Sequence, residues 1–221
     1  MFASRRSSIG SPKSSGTSIH IDPLGTNAWN ASLKGHKLWL LLPPEISRQI
    51  AKGKEVMQKG EDDEAIMYMK EIFPKLKEKY SSYLNEMWFV QRPGELVFVP
   101  GGWWHVVVNL DDTIAVTQNY CNSVNFEKVW LHVRSERKKM AVKFLRKLKK
   151  FNSECYDKAV EMNRKDKFLM YDELKKIYEE RRNKMSQDER EKYQARSGSN
   201  DSLSSLNPSS SSSSSYSSDS D

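Results

Sequence analysis

The sequence predicts a mainly β protein, an antiparallel barrel or jelly roll with a helical extension behind it, and three features carry that prediction. Between Met87 and Tyr120, short runs of strand-forming residues alternate with tight Gly/Pro turns. Lys37 to Leu42 (KLWLLL) is an apolar run stopped by Pro43-Pro44, the pattern of a buried strand. Beyond Phe126 the apolar period becomes helical, with lysines and arginines on the opposite side.

Taken in chain order, residues 1–14 are Ser, Gly, Arg, Lys and Pro with few apolar side chains, and so read as a disordered or truncated lead-in. The barrel is expected over residues 15–126. Within it, Glu45 to Tyr83 is charged and helix-friendly, with Ile66, Met69, Ile72 and Phe73 at helical spacing, and reads as a helical insert between strands. Strands are expected at Met87 to Val90, Glu95 to Val99, Trp104 to Asn109 and Thr113 to Tyr120. The turns are Arg92-Pro93-Gly94 and Pro100-Gly101-Gly102. Residues 127–196 form a basic helical extension. One helix carries Ala141, Phe144, Leu145, Leu148 and Phe151 on its apolar face, and a second carries Leu174, Ile177 and Tyr178. Residues 197–221 are mostly serine, a disordered tail by composition that phosphorylation would turn strongly acidic.

Net charge is +7, from 36 Lys and Arg against 29 Asp and Glu, and much of the excess lies between Arg134 and Lys150. A basic stretch of this kind favours acidic partners, nucleic acid first among them. The plainer reading is a solvated helix face. Two cysteines, Cys121 and Cys155, are too few for a disulfide framework or a thiolate zinc site, which fits a reducing compartment. No apolar run approaches the roughly 20 residues needed to span a bilayer. The N-terminus lacks the apolar stretch of a secretory signal. An intracellular protein without a membrane segment is expected.

Chemistry concentrates on three residues. In extended chain, positions i and i+2 point to the same side, so His20 and Asp22 can both aim into a barrel. His105 follows a Gly-Gly turn on a different strand and can arrive as a third ligand. Two imidazoles and one carboxylate on one face of an octahedron leave three positions open, the arrangement of non-heme Fe(II) oxygenases. Those open positions suit a bidentate keto-acid and dioxygen. His36 and His132, the remaining two of four histidines, have no neighbours to complete a metal set and read as structural. Lys37 can project an ammonium into the barrel, where a bound anion would rationalise its burial; otherwise it is an exposed strand-edge lysine. Thr17, Asn30 and Thr117 offer hydroxyl or amide contacts to the same ligand.

SGTSIHIDPLGTNAWN (Ser15 to Asn30), GHK (Gly35 to Lys37) and RPGELVFVPGGWWHVVVNL (Arg92 to Leu110) resemble the Jumonji C family. They are most similar to its arginine-demethylase and lysyl-hydroxylase branch. The resemblance covers roughly Ile9 to Trp130, with a gap across the insert. It implies a double-stranded β-helix of the cupin-like kind. It further implies iron ligation by His20, Asp22 and His105, with Lys37 and Thr117 on a 2-oxoglutarate carboxylate. Asn30 would lie near the keto-acid, and Thr17 would line the pocket. The implied chemistry is oxidative decarboxylation of 2-oxoglutarate with dioxygen, coupled to hydroxylation of a Lys side chain or loss of an N-methyl group from Arg as formaldehyde. The implied substrates are nuclear proteins such as histones and splicing factors, with the nucleus, and also the cytoplasm, as location.

Only nineteen residues precede His20, and the resemblance runs into the start of the chain. The first barrel strand is therefore expected to be missing, leaving an open sheet edge prone to self-association. Poor turnover by the isolated chain would follow. The competing reading is a catalytically incomplete fragment that acts as a protein- or RNA-binding module through the basic helix and the serine tail.

Overall fold

The computed structural model describes residues 2–3 and 7–184; the serine-rich tail, and the end of the expected extension at 185–196, lie outside the described residues. Contacts divide the chain into two units, residues 1–129 and 130–221.

The first unit is the barrel. Its strands are β1 (Phe2–Ala3), β2 (Ser7–Ser11), β3 (Gly16–His20), β4 (Asn27–Lys34), β5 (Lys37–Leu42), β6 (Met87–Gln91), β7 (Leu96–Val99), β8 (Trp104–Asn109) and β9 (Thr113–Cys121). One sheet runs β2-β9-β4-β7, with β1 pairing the far end of β9, and the other runs β3-β8-β5-β6. Every pairing is antiparallel. Two facing sheets in this order are a double-stranded β-helix, as the resemblance implied.

The lead-in departs from expectation. Ser7–Ser11 is not structureless but pairs residue for residue with Thr113–Thr117, supplying the barrel strand expected to be missing. SSIGS has no apolar alternation to reveal it. Its stability comes from main-chain hydrogen bonds to a strand about a hundred residues away, and local sequence does not record such partners.

Burial on both faces explains the apolar runs. On β5 and β8, Lys37, Trp39, Leu41, His105, Val107 and Asn109 turn to the barrel interior. There Trp39, Leu41 and Val107 cluster with Ala28, Val97 and Val99. The alternate residues Leu40, Leu42, Trp104, Val106 and Val108 meet the insert. That insert is α1 (Arg48–Ala51), α2 (Ala65–Met67), a π turn over Tyr68–Ile72 and α3 (Phe73–Tyr80). Its Tyr68, Ile72, Phe73 and Leu76 are buried against the second sheet. The Tyr68 hydroxyl donates to the Ala51 carbonyl at 2.6 Å, so burying this phenol leaves no unpaired donor.

After β9 the chain turns helical with α4 (Phe126–Glu136), α5 (Lys138–Phe151), α6 (Ser153–Lys165) and α7 (Tyr171–Lys184). These are four helices where the apolar period marked two. In the second unit Asn163 Oδ1 accepts from Trp130 Nε1 and Arg134. Arg134 also pairs with Asp166 and stacks over Phe168. On α5, Ala141, Val142 and Leu148 are buried. Phe151, expected on that face, is 71% exposed because it is the last helical residue.

Candidate functional site

A β-bulge sets up the site. β3 pairs β8 as Thr17↔Val107 and His20↔His105, so three residues on β3 span two on β8. The extra residue reverses the alternation. Thr17 and His20, an odd and an even position, therefore both line the interior, while Ile19 is buried against the insert. β3 ends at His20, and Asp22 stands just beyond it, in extended conformation, ahead of the turn Pro23–Gly25. The i, i+2 argument holds because the backbone stays extended past the end of the strand. Gly101 then brings the second ligand-bearing segment in: a Cβ there would lie 2.4 Å from the Gly25 carbonyl oxygen. No larger residue permits that approach. The Asn27 side chain accepts the Gly101 N–H at 2.8 Å, holding the turn before β8 against the turn after Asp22.

The result is a cluster. One ligand atom each from His20, Asp22 and His105 lies within 4.8 Å of the others, and the imidazole centroids are 4.1 Å apart. Each ring is oriented by its other nitrogen: His20 Nδ1 meets the Ser18 carbonyl at 2.7 Å and His105 Nδ1 the Trp103 carbonyl at 3.1 Å. A carbonyl only accepts, so both Nδ1 atoms carry the proton and both Nε2 lone pairs are free. Burial, followed by the adjacent His20, pushes the His105 pKa down to about 4, which keeps that imidazole neutral and able to ligate. Asp22 Oδ2 is buried with no hydrogen-bond partner. Asp22 Oδ1 lies 4.0 Å from His20 Nε2. A carboxylate with one oxygen unpartnered, beside two imidazole lone pairs, is satisfied by a divalent cation, so the donor set fits iron.

The cluster forms part of the wall of a cavity of about 200 Å³ that Thr17, Asn30, Lys37 and Thr117 also line. Lys37 is buried rather than at an exposed edge. Its ammonium donates to Asn109 Oδ1 at 2.6 Å and Thr113 Oγ1 at 3.2 Å. Among the described residues no carboxylate pairs with it, and burial lowers its pKa. A buried cation without a counter-ion fits a carboxylate ligand. Thr117 Oγ1 donates to the Trp29 carbonyl at 2.9 Å. Asn30 Oδ1 is buried without a partner. The other two histidines lie elsewhere: His36 pairs with Asp111 at 2.8 Å and His132 with Glu136 at 2.6 Å. Sequence reasoning missed Asn109, Thr113 and Trp39. Trp39 stacks beside His105 with centroids 6.2 Å apart, and its indole N–H donates to the buried Gln91. Only the inward register of β5, β8 and β9 reveals them.

The model of the JmjC domain, hydroxylase, matches residues 7–120, more than half of the chain. The chain belongs to the JmjC family. The bifunctional arginine demethylase and lysyl-hydroxylase psr-1 of Caenorhabditis elegans is 41% identical to it over 138 residues, covering 62% of this chain and 34% of the relative. The arginine-specific demethylase JMJ22 of Arabidopsis thaliana is 36% identical over 119 residues, 53% and 23% of the two chains. The 2-oxoglutarate and iron-dependent oxygenase JMJD4 of Gallus gallus is 33% identical over 130 residues, 57% and 28%. The chain spans about a third or less of the length of the curated relatives it matches. The matched JmjC segment begins at Ser7, the first residue of β2.

Proposed function

We propose that this chain is an Fe(II)- and 2-oxoglutarate-dependent dioxygenase that hydroxylates Lys, or demethylates Arg, on nuclear proteins such as histones and splicing factors. One observation carries the reading: three metal-ligand atoms converge on a cavity whose wall also holds a buried, carboxylate-free lysine. Bound iron with dioxygen and 2-oxoglutarate supplies the oxidant that takes hydrogen from a substrate C–H bond and returns a hydroxyl. His20, Asp22 and His105 would hold the metal, and a set of three protein ligands would leave coordination positions for the keto-acid and dioxygen. Lys37 and Thr117 bind the distal carboxylate, Asn30 lies near the keto-acid, and Thr17 closes the wall. The choice of Lys or Arg, and the nucleus with the cytoplasm beside it, rest on the likeness to the JmjC relatives.

The test is succinate formation by the 221-residue chain with Fe(II), 2-oxoglutarate and peptides bearing Lys or methylated Arg. Hydroxylation adds one oxygen to the peptide mass, whereas demethylation releases formaldehyde. Because β2 fills the barrel position expected to be open, we expect turnover by this chain, abolished by His105→Ala. Turnover that survives His105→Ala would remove the oxygenase reading.

A second activity has its own support. Arg137, Lys139, Lys143, Arg146, Lys147, Lys149 and Lys150 are all exposed on or beside α5, and among the described residues Arg146 alone of these has an acidic partner, Asp172 at 3.5 Å. We propose that this face binds RNA, alongside the oxygenase or, in an inactive chain, as its main role. The intact chain should lose RNA affinity steeply between 50 and 200 mM salt, by about tenfold or more if several phosphates are contacted. Binding insensitive to salt, or unchanged by Lys143→Glu with Lys147→Glu, would leave α5 a solvated face. Self-association, expected from an open edge, finds support instead in apolar side chains on the outer surface of the first sheet. Leu33, Leu96, Phe98 and Ile114 are all exposed there.

A further inference from the structure

The ammonium of Lys37 does not stand alone in the barrel. Lys37 and Asn109 are cross-strand partners on β5 and β8, and the 2.6 Å contact between them uses the Asn109 amide oxygen. A lysine only donates, so the oxygen must face it. The amide nitrogen then turns the other way and donates to Ser15 Oγ at 2.9 Å. Ser15 Oγ in turn donates to the Pro12 carbonyl at 2.6 Å. The Asn109 main chain grips the same loop, accepting from Ser14 N and donating to the Ser15 carbonyl, both at 2.8 Å. Thr113 repeats the pattern: its hydroxyl accepts from Lys37 and faces the Ser11 carbonyl at 3.4 Å. Among the described residues, both side-chain partners of the Lys37 ammonium are thus fastened to the segment from Ser11 to Ser15 that joins β2 to β3.

We infer that Asn109 and Thr113 are positioning residues for Lys37, and that through them the crossover from Ser11 to Ser15 belongs to the co-substrate site. The inference rests on the 2-oxoglutarate reading of the cavity. An ammonium has three N–H groups. Asn109 and Thr113 take two, and the third is left for the ligand in the cavity that Lys37 lines. Both partners are uncharged, so they orient the cation without neutralising it. A carboxylate at either position would satisfy the same hydrogen bond and compete with the ligand for the charge.

Asn109→Asp tests this directly. The substitution is nearly isosteric and keeps acceptors for both Lys37 and the Ser15 hydroxyl, so a packing role alone would survive it. 2-oxoglutarate binding to the Fe(II)-loaded chain, measured by calorimetry without oxygen, should weaken by roughly 10- to 100-fold, the scale of one hydrogen bond to a charged group. The pH dependence separates charge from fold. The other ionisable groups on the cavity wall are Asp22, His20 and His105, while His36 and Asp111, near the outer end of the barrel, pair with each other. The alkaline loss of binding therefore reports Lys37. In Asn109→Asp that limb moves to higher pH, because the new carboxylate stabilises the ammonium. In Thr113→Val it moves to lower pH, because an acceptor is lost, and affinity falls several-fold. Parent-like affinity and an unmoved limb in a folded Asn109→Asp would overturn the inference. Should Asn109→Asp not fold, Thr113→Val decides on the same two readouts. A parent chain that binds Fe(II) but no 2-oxoglutarate refutes the site reading itself, and the inference with it.

Discussion

Asp22→Ala and His20→Ala are each expected to weaken Fe(II) binding by more than about 100-fold, while His36→Ala binds iron like the parent. Losing an outer partner of a metal ligand costs roughly 10- to 100-fold in affinity, and losing a ligand outright costs more. Asp22 is the more telling of the two. Its Oδ2 atom is buried without a hydrogen bond, a state that costs the free protein stability and that the metal relieves. Asp22→Asn therefore has a distinct signature: the metal-free chain gains thermal stability while iron affinity falls, because the buried charge has gone. His36, held by Asp111 through both its ring and its backbone N–H, is an internal control on histidine loss in general. Anaerobic metal titration of the parent, the three alanine variants and Asp22→Asn measures the affinities, and thermal unfolding of the metal-free parent and Asp22→Asn measures the stability. Comparable affinity in Asp22→Ala and the parent would mean that the converging atoms are not a metal site.

What the sequence made legible follows a physical divide. Lys37–Leu42 and Trp104–Asn109 were readable to the residue, since strands buried on both faces have to be apolar almost throughout. His20, Asp22 and His105 were readable because metal ligation tolerates few residue types and the motif around them is long. β2 was not, because a polar pentapeptide held by the main chain of β9 carries no side-chain pattern. The bulge in β3 was equally hidden. Simple alternation sets Thr17 and His20 on opposite faces, and only the unequal register against Val107 and His105 brings both inward. Asn109 and Thr113 looked like ordinary strand-end polar residues. Their role appears once the pairing of β5 with β8 sets Asn109 across from Lys37 and the start of β9 brings the Thr113 hydroxyl to the same ammonium. Residues that do chemistry were visible, and residues that aim them were not.

Lys37→Met should abolish 2-oxoglutarate binding, by at least about 30-fold, and leave Fe(II) binding within a few-fold of the parent. Truncating one partner of a buried charge pair costs about 2–5 kcal/mol, and here the surviving partner would be a carboxylate stranded among Trp39, Val107 and Ala115 on the cavity wall. The free protein should respond in the opposite sense. Burial lowers the pKa of Lys37 below its ordinary value of 10.5, so between the lowered value and 10.5 the unfolded chain binds more protons than the folded one. Stability must then rise with pH across that window. Below it both states are protonated, and the full penalty of burying the charge persists at neutral pH. Lys37→Met carries no such penalty, although it leaves Asn109 Oδ1 without its donor. The stability difference between parent and variant should therefore shift in the parent's favour as pH rises from neutral towards 10.5. Saturating 2-oxoglutarate should cancel this trend in the parent alone, because the ligand favours the protonated lysine. Denaturant unfolding of both chains at several pH values, with and without 2-oxoglutarate, checks each step. A difference that stays flat with pH would mean that Lys37 titrates like a solvated lysine, and its buried cation could not then be what draws the co-substrate into the barrel.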